Sequence, residues 1–238
     1  MEGPPRGRRH PVRPVTPAQR AGWSVGFATG LYGISFGALA VASGLSAWQA
    51  IALSALMFTG GSQFAYLGVV GAGGSGAAAT GAATLLGIRN TVYAMRLSTL
   101  VRPRSVPERL AMAQLTIDES TAVAVAQESP EEQRRGFWAA GLGVYVFWVG
   151  FSALGAVVGD RIGNLDRLGL DGAAVAAFTG LLWPHLRSRR PVAIAVLAAV
   201  VTLALVPAVP AGLPILGAAL VAAVAGWALR PTDLREAA

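Results

Sequence analysis

Arg89, Tyr93 and Arg96 share one face of a helix in the stretch Gly87-Ile88-Arg89-Asn90-Thr91-Val92-Tyr93-Ala94-Met95-Arg96, since residues four and seven apart return to the same side. An arginine at a bilayer centre costs about 2.5–3.5 kcal/mol on insertion scales, so each needs a counter-charge, a polar cavity or a nearby aqueous surface. For Arg96, close to Arg102, snorkelling to the surface suffices; for Arg89, with Asn90 beside it, the residues favour an internal polar role. Asp118 and Glu119 follow the apolar stretch Ala111–Ile117 and point about 100° apart on a helix, so only one of them can face a given pathway. Their chemistry fits a proton site, an ammonium ligand or an arginine's partner; solvated acids on an amphipathic surface helix would also account for them. The doublet Gly60-Gly61 interrupts a helical run and is followed by Ser62, Gln63 and Phe64. A half-helix starting there would offer free backbone N–H groups and a positive dipole end to a carboxylate, with a filled kink as the alternative.

These residues must be positioned by helices in lipid. The 238-residue chain is 54% hydrophobic and 13% charged, against about 25% charged in soluble domains. Between Arg20 and Arg89 no ionisable Asp, Glu, Lys, Arg or His occurs, and about 20 helical residues cross a bilayer core of roughly 30 Å. That run alone holds about three crossings. Residues 136–159 supply one more, and 191–229 supply two around Pro207–Gly212. Leu110–Gln127 and Ala173–Leu186 are ambiguous, the first because of its two acids and the second because it is short. The expected fold is an all-α integral membrane protein, a polytopic helical bundle of about seven spans, six to eight at the limits, with broken helices. Residues 1–22 read as a disordered basic cytoplasmic arm, 23–230 as a single transmembrane domain with possible repeat halves 23–128 and 137–230, and 231–238 as a tail.

All 19 basic residues are arginine, and the net charge is +7. Nucleic acid is nevertheless a poor partner, because these arginines punctuate long uncharged runs instead of forming one patch. The positive-inside rule wants the arm, Arg102/Arg104/Arg109, Arg134/Arg135 and Arg187/Arg189/Arg190 on the cytoplasmic side. Three full crossings before Arg102 would place that cluster outside. Either a segment between residues 47 and 99 is broken or re-entrant, or the charge rule fails there.

Gly22, Gly26 and Gly30, then Gly33 and Gly37, recur every four residues and make a flat strip on which another helix can pack closely. Gly37-Ala38 followed by Phe58-Thr59-Gly60 is echoed by Gly155-Ala156 followed by Phe178-Thr179-Gly180, a pattern of internal duplication found in secondary transporters. Enzyme chemistry is poorly served. The two histidines are His10 and His185, cysteine is absent, no metal-ligand spacing or cofactor motif occurs, and Gly73-Gly74-Ser75-Gly76 only formally matches an intramembrane serine-protease motif.

Several short motifs fall in a familiar order: Gly33-Ile34-Ser35-Phe36-Gly37-Ala38-Leu39-Ala40, Gly44–Ala50, Phe58-Thr59-Gly60-Gly61-Ser62-Gln63-Phe64-Ala65, Arg89-Asn90 with Tyr93, Asp118-Glu119, Gly136-Phe137-Trp138, Leu168–Asp171, Leu182-Trp183-Pro184 and Pro210–Pro214. Over residues 20–229 the chain resembles the AzlC-type large subunit of branched-chain amino acid exporters. Gly163-Asn164-Leu165-Asp166 departs from the Asp-Pro step that relatives often show there. The resemblance implies efflux of leucine, isoleucine, valine and sometimes methionine across the bacterial inner membrane, together with a small AzlD-type subunit of about four spans. Joined to the residue chemistry, it places the substrate carboxylate at Gly60, Gly61 and Ser62, oriented by Gln63 and Asn90. The branched side chain would lie against Met57, Phe58 and Phe64. Asp118 or Glu119 would meet the ammonium group or a coupling proton, and Arg89 would hold that acid ionised. A non-transporting membrane scaffold and an intramembrane hydrolase using Ser75 or His185 are the rival readings.

Overall fold

A computed structural model describes residues 15–162, 179, 182–183, 186–210 and 213–228, and among these every regular element is a helix. In chain order they are α1 (Pro17–Ala42), α2 (Ala47–Leu56), α3 (Gly61–Gly71), α4 (Gly76–Val101), α5 (Val106–Gln114), α6 (Asp118–Val125), α7 (Pro130–Ile162), α8 (Arg189–Leu205) and α9 (Leu213–Ala228). With 26, 26 and 33 residues, α1, α4 and α7 set the length of the bundle. The basic arm stops earlier than residue 22. Thr16 caps α1 by accepting from Gln19 N at 3.3 Å while Gln19 Oε1 accepts from Thr16 N at 3.0 Å, and Pro17 occupies the first turn.

The glycine strip of α1 is buried against α7. A Cβ on Gly22 would lie 2.6 Å from Ala140 N, one on Gly26 would lie 2.6 Å from Gly143 C, and one on Gly33 would lie 2.7 Å from Trp148 O. At the far end of the seam Gly37 abuts the Ser152 carbonyl, and Gly155 abuts that of Ile34. Contact positions rise together along both helices, so α1 and α7 run parallel at a backbone separation that no side chain could occupy. Gly37-Ala38 and Gly155-Ala156 are therefore the two sides of one seam, which explains why both segments carry the same small residues. Of the remaining echo only Thr179 falls within the described residues.

Between these parallel helices the chain makes two short hairpins. The α2–α3 pair starts where α1 ends and comes back to the same place, since a Cβ on Gly71 would lie 3.0 Å from Ser43 Oγ. Ser46 and Gln49 start α2 with a reciprocal cap, at 2.8 and 3.3 Å. The hairpin reverses over residues 57–60, where Gly60 adopts φ 59° and ψ −90°, a conformation that a side chain would oppose. From there α4 runs the length of the bundle to the other end, where the Val101 carbonyl accepts from Arg134 Nη1 at 2.8 Å.

The α5–α6 pair enters from that second end and returns to it. Val123 on α6 packs at Gly136 on α7, whose Cβ would lie 3.1 Å from Val123 Cγ1 and 3.6 Å from Ala18 Cβ. Its turn at Leu115–Ile117 is pinned by Ser120 Oγ, which donates to the Leu115 carbonyl at 2.6 Å and accepts from Ile117 N at 3.1 Å. Leu110–Gln127 is thus a bent-back hairpin and not a span, because Thr116 and Ser120 satisfy the backbone groups that a break exposes. The two hairpins touch tip to tip, with Gln114 Nε2 donating to the Ala55 carbonyl at 2.9 Å.

Arg20, Arg102, Arg104, Arg109, Arg134 and Arg135 consequently gather at one end of the bundle, here termed the arginine end. The open choice about residues 47–99 is resolved by a break: α2–α3 doubles back, leaving two full-length passages, α1 and α4, before Arg102. At the opposite end α8 and α9 join in a hairpin, with Leu205 against Gly217 and Leu216 against the cluster of Val69, Ala79 and Ala82. Two helices, Pro17–Ala42 and Pro130–Arg161, meet the length and apolarity of a crossing. Although as long as α1, α4 carries Arg89 and Arg96, and α8 and α9 have 17 and 16 residues. The Ala173–Leu186 segment and the flanking stretches 1–14 and 229–238 lie outside the described residues apart from Thr179, Leu182, Trp183 and Leu186.

A charged clasp closes the arginine end. Glu108, in the first turn of α5, accepts from Arg104 N at 2.7 Å and pairs with the Arg134 guanidinium. The Arg104 N–H first, then Arg134, hold its carboxyl below the ordinary carboxylate range, outweighing burial, which pushes the other way. A carboxyl lowered by folding adds stability above its unfolded value near 4.5 and loses that contribution as pH falls through the lower folded value. Wild type should therefore lose more thermal stability than Glu108→Gln between about pH 6 and pH 3. Equal losses in a thermal melt would remove the clasp from the acid response.

Candidate functional site

Arg89 lies halfway along α4, about 18–20 Å from either end at 1.5 Å per residue. At that depth it meets both hairpin tips. Its Nη2 donates to Asp118 Oδ2 at 2.8 Å, the first residue of α6, and to the Thr59 carbonyl at 3.3 Å, in the turn of α2–α3. One side chain thus joins the two hairpins and α4. Asp118 is the first residue of α6 and so sits at that helix's N-terminus. Tyr93 lies one turn along from Arg89 on the same face of α4. Asp118 and Glu119 diverge around α6, and of the two it is Asp118 that meets Arg89.

The N-terminus of α3 opens beside this pair. Gln63 N and Phe64 N both donate to the Gly60 carbonyl, at 3.0 and 3.3 Å, whereas no side chain caps the helix and the N–H groups of Gly61 and Ser62 make no bond among the described residues. The guanidinium lies across this first turn, since a Cβ on Gly61 would fall 3.2 Å from Arg89 Nη2 and 3.3 Å from Nη1. Ser62 Oγ, Asn90 Oδ1 and Arg89 Nε are buried without a hydrogen-bond partner. Two free amides, a hydroxyl and the Arg89 guanidinium thus lie together at this helix end, with the Asp118 carboxylate bound directly to that guanidinium.

Other residues that the sequence brought into the site take different places. Gln63 spends its amide N–H groups on the carbonyls of Leu53 and Ser54, at 3.0 and 3.3 Å, tying α3 to the end of α2. Only its Oε1 is left over, buried and unpaired. Phe64 packs into the core against Phe36 and Trp148, with ring centroids 5.7 and 6.2 Å apart. Phe58 is buried edge-on against Tyr145 of α7 at 5.0 Å. Arg96 is exposed, and Ser75 Oγ accepts from Ala78 N as the cap of α4, which leaves it no unexplained role. Thr59, Gln114 and Tyr145 were not singled out by sequence reasoning. Only Thr59, next to Gly60-Gly61, lay within a visible signal; the others reach the site by folding.

Because Gln63 seals a buried helix end, Gln63→Leu should lower the stability of the detergent-solubilised protein by about 1–3 kcal/mol, the usual cost of orphaning buried carbonyls. An unchanged thermal unfolding midpoint would show that the two bonds are dispensable.

A family model described as AzlC protein matches residues 24–162, more than half of the chain. That range runs from the first turns of α1 to the end of α7 and contains both hairpins and Arg89. No curated protein and no solved structure matches the chain.

Proposed function

Since the chain belongs to the AzlC family, which is associated with membrane transport of amino acids, we propose that it is a secondary exporter of branched-chain amino acids and that the Arg89–Asp118 centre binds the substrate. The observation that supports this reading is the grouping where the two hairpin tips meet: a guanidinium and two free amides that would take a carboxylate, and the Asp118 carboxylate, paired with that guanidinium, that would take an ammonium group. A zwitterion needs both halves at once. Two unpaired polar atoms, Ser62 Oγ and Asn90 Oδ1, would add hydrogen bonds to it. Met57 and Phe58, in and beside the same turn, would border the aliphatic side chain, with Phe64 as part of the wall behind. Release of the ammonium group would return Asp118 to Arg89, and a proton on Asp118 or Glu119 would couple efflux to the proton gradient.

In this reading α1, α4, α7, α8 and α9 cross the bacterial inner membrane, and α2–α3 and α5–α6 enter it from opposite faces. Half-length helices of 8 to 11 residues rise about 12–17 Å, which reaches roughly the middle of a 30 Å core. Irregular backbone is tolerated there because protein surrounds it. The arginine end faces the cytoplasm, as the positive-inside rule asks, and so does the N-terminus. An AzlD-type four-span subunit would complete the transporter. The reading is of a transporter and not of an enzyme, in keeping with the transporter-type family. Efflux of leucine, isoleucine, valine and methionine from loaded vesicles, with and without that subunit, tests the proposal. Ser62→Ala should reduce leucine efflux about tenfold, the effect of losing one hydrogen bond to a charged group. Efflux of an unrelated solute class, with none of leucine, would overturn it.

A further inference from the structure

The arginine end carries a second polar feature, remote from Arg89. Between the starts of α1 and α7 and the loop after α4 lies a cavity of about 490 Å³, bordered by Gln19, Trp23, Arg104, Glu131, Arg135 and Trp138 among others. Arg134 also lines it, but is held by Glu108 and the Val101 carbonyl, and Arg135 is held by Glu132 at 2.6 Å. Each of these two guanidinia has five N–H donors and uses at most two of them in those bonds. Arg104 and Glu131 make no side-chain bond among the described residues, so the cavity presents one uncommitted cation and one uncommitted anion. Glu108 and Glu132 neutralise the other two arginines. A ligand that matches this charge pattern carries both signs.

Its apolar wall says more. Trp23 and Leu142, 44% and 43% exposed, line the cavity, and one turn deeper on the same two helices Phe27 and Val146 are 48% and 57% exposed. The apolar track therefore continues down the outside of the α1–α7 seam, further than the side chain of an amino acid extends. Indoles at Trp23 and Trp138 mark the depth at which aromatic residues gather at a membrane–water interface.

We propose that this crevice binds a phosphoethanolamine lipid, with the phosphate on Arg104 and the spare N–H groups of Arg134 and Arg135, the ammonium group on Glu131, and an acyl chain along Trp23, Phe27, Leu142 and Val146. The site rests on the membrane placement above but not on the transported substrate. A bound lipid here would brace α5, through Arg134 and Glu108, against the α1–α7 pair.

Native mass spectrometry of the full chain in detergent, titrated with phosphatidylethanolamine, phosphatidylglycerol and phosphatidylcholine of equal chain length, tests this. Phosphatidylethanolamine adducts should persist at the highest collision energy, and Arg104→Ala should weaken them about tenfold, the loss of a charge-assisted bond. Glu131→Gln should bring phosphatidylethanolamine down to the level of phosphatidylcholine, whose methylated cation cannot donate. Equal retention of all three lipids by wild type, or undiminished phosphatidylethanolamine binding by Arg104→Ala, would overturn the proposal. So would an equal rise in thermal stability with leucine or inorganic phosphate alone. If instead the protein stays monodisperse without detergent, it is the membrane placement that fails.

Discussion

Arg89→Ala is expected to abolish leucine efflux from loaded vesicles, reducing it at least a hundredfold, while the protein still reaches the membrane. The substitution removes three things at once: the cation proposed to meet the substrate carboxylate, the tie to the Thr59 carbonyl and the counter-charge of Asp118. Stripping one partner from a buried ion pair leaves the other charge uncompensated, which costs about 3–5 kcal/mol, or roughly two to three and a half decades in an equilibrium. Asp118 is partly exposed, with 43% of its side chain accessible, so some of that cost is relieved by water and the lower end of the range applies. Asp118→Asn separates binding from turnover. It keeps a hydrogen-bonding group against Arg89 and removes the anion that would meet the ammonium group, so efflux should fall while the fold is kept. The double variant Arg89→Ala/Asp118→Ala should be more stable than Arg89→Ala alone yet equally inactive. Wild-type efflux by Arg89→Ala at normal membrane levels would refute the role given to this centre.

Gly26→Leu is expected to be the most damaging change outside the site. Its Cβ would sit 2.6 Å from the Gly143 carbonyl carbon and 2.8 Å from Gly143 Cα, both backbone atoms that cannot rotate away. The α1–α7 seam would have to open along its length, since Gly22 and Gly30 bear on the same strip. Overpacking a core commonly costs 1–3 kcal/mol, and a backbone clash on a rigid helix pair belongs at or above the top of that range, about 3 kcal/mol or more. Size-exclusion chromatography of the detergent-solubilised variant should show aggregation or loss of the main peak. Gly150→Leu, on the same helix pair but with no atom near its Cβ position, serves as the control and should behave as wild type. A monodisperse Gly26→Leu protein would mean that α1 and α7 can separate without unfolding.

Much of this could be read from the chain. The 68-residue uncharged run between Arg20 and Arg89, the four-residue glycine spacing and the Gly60-Gly61 doublet are local patterns, and each maps to one physical requirement: solubility in lipid, close helix approach, and a backbone turn of positive φ. Asp118 was also visible as a candidate partner for Arg89. Two features misled. Counting apolar residues converts every long run into crossings, so the bend at Met57–Gly60 and the bend at Leu115–Ile117 were both at risk of being counted as parts of spans. Residue type likewise suggested substrate contacts for Gln63 and Phe64, whereas the fold uses one as a helix clamp and the other as core.

What the sequence by itself determined, then, is the chemistry and the medium: an all-helical chain, apolar enough for a membrane, with a handful of charged and polar groups stranded within it, in the AzlC pattern. Tertiary structure alone decided which of those groups meet. Asp118 is 29 residues from Arg89, Gln114 is 59 from Ala55 and Arg134 is 33 from Val101; such pairings depend on the direction in which each hairpin doubles back. Helix periodicity extends only a few turns along the chain, whereas the choice between crossing and returning is made by whether a broken helix end finds partners in a neighbouring element. Here Gln63, Ser120, Gln114 and Arg89 provide those partners, and only their three-dimensional arrangement reveals it.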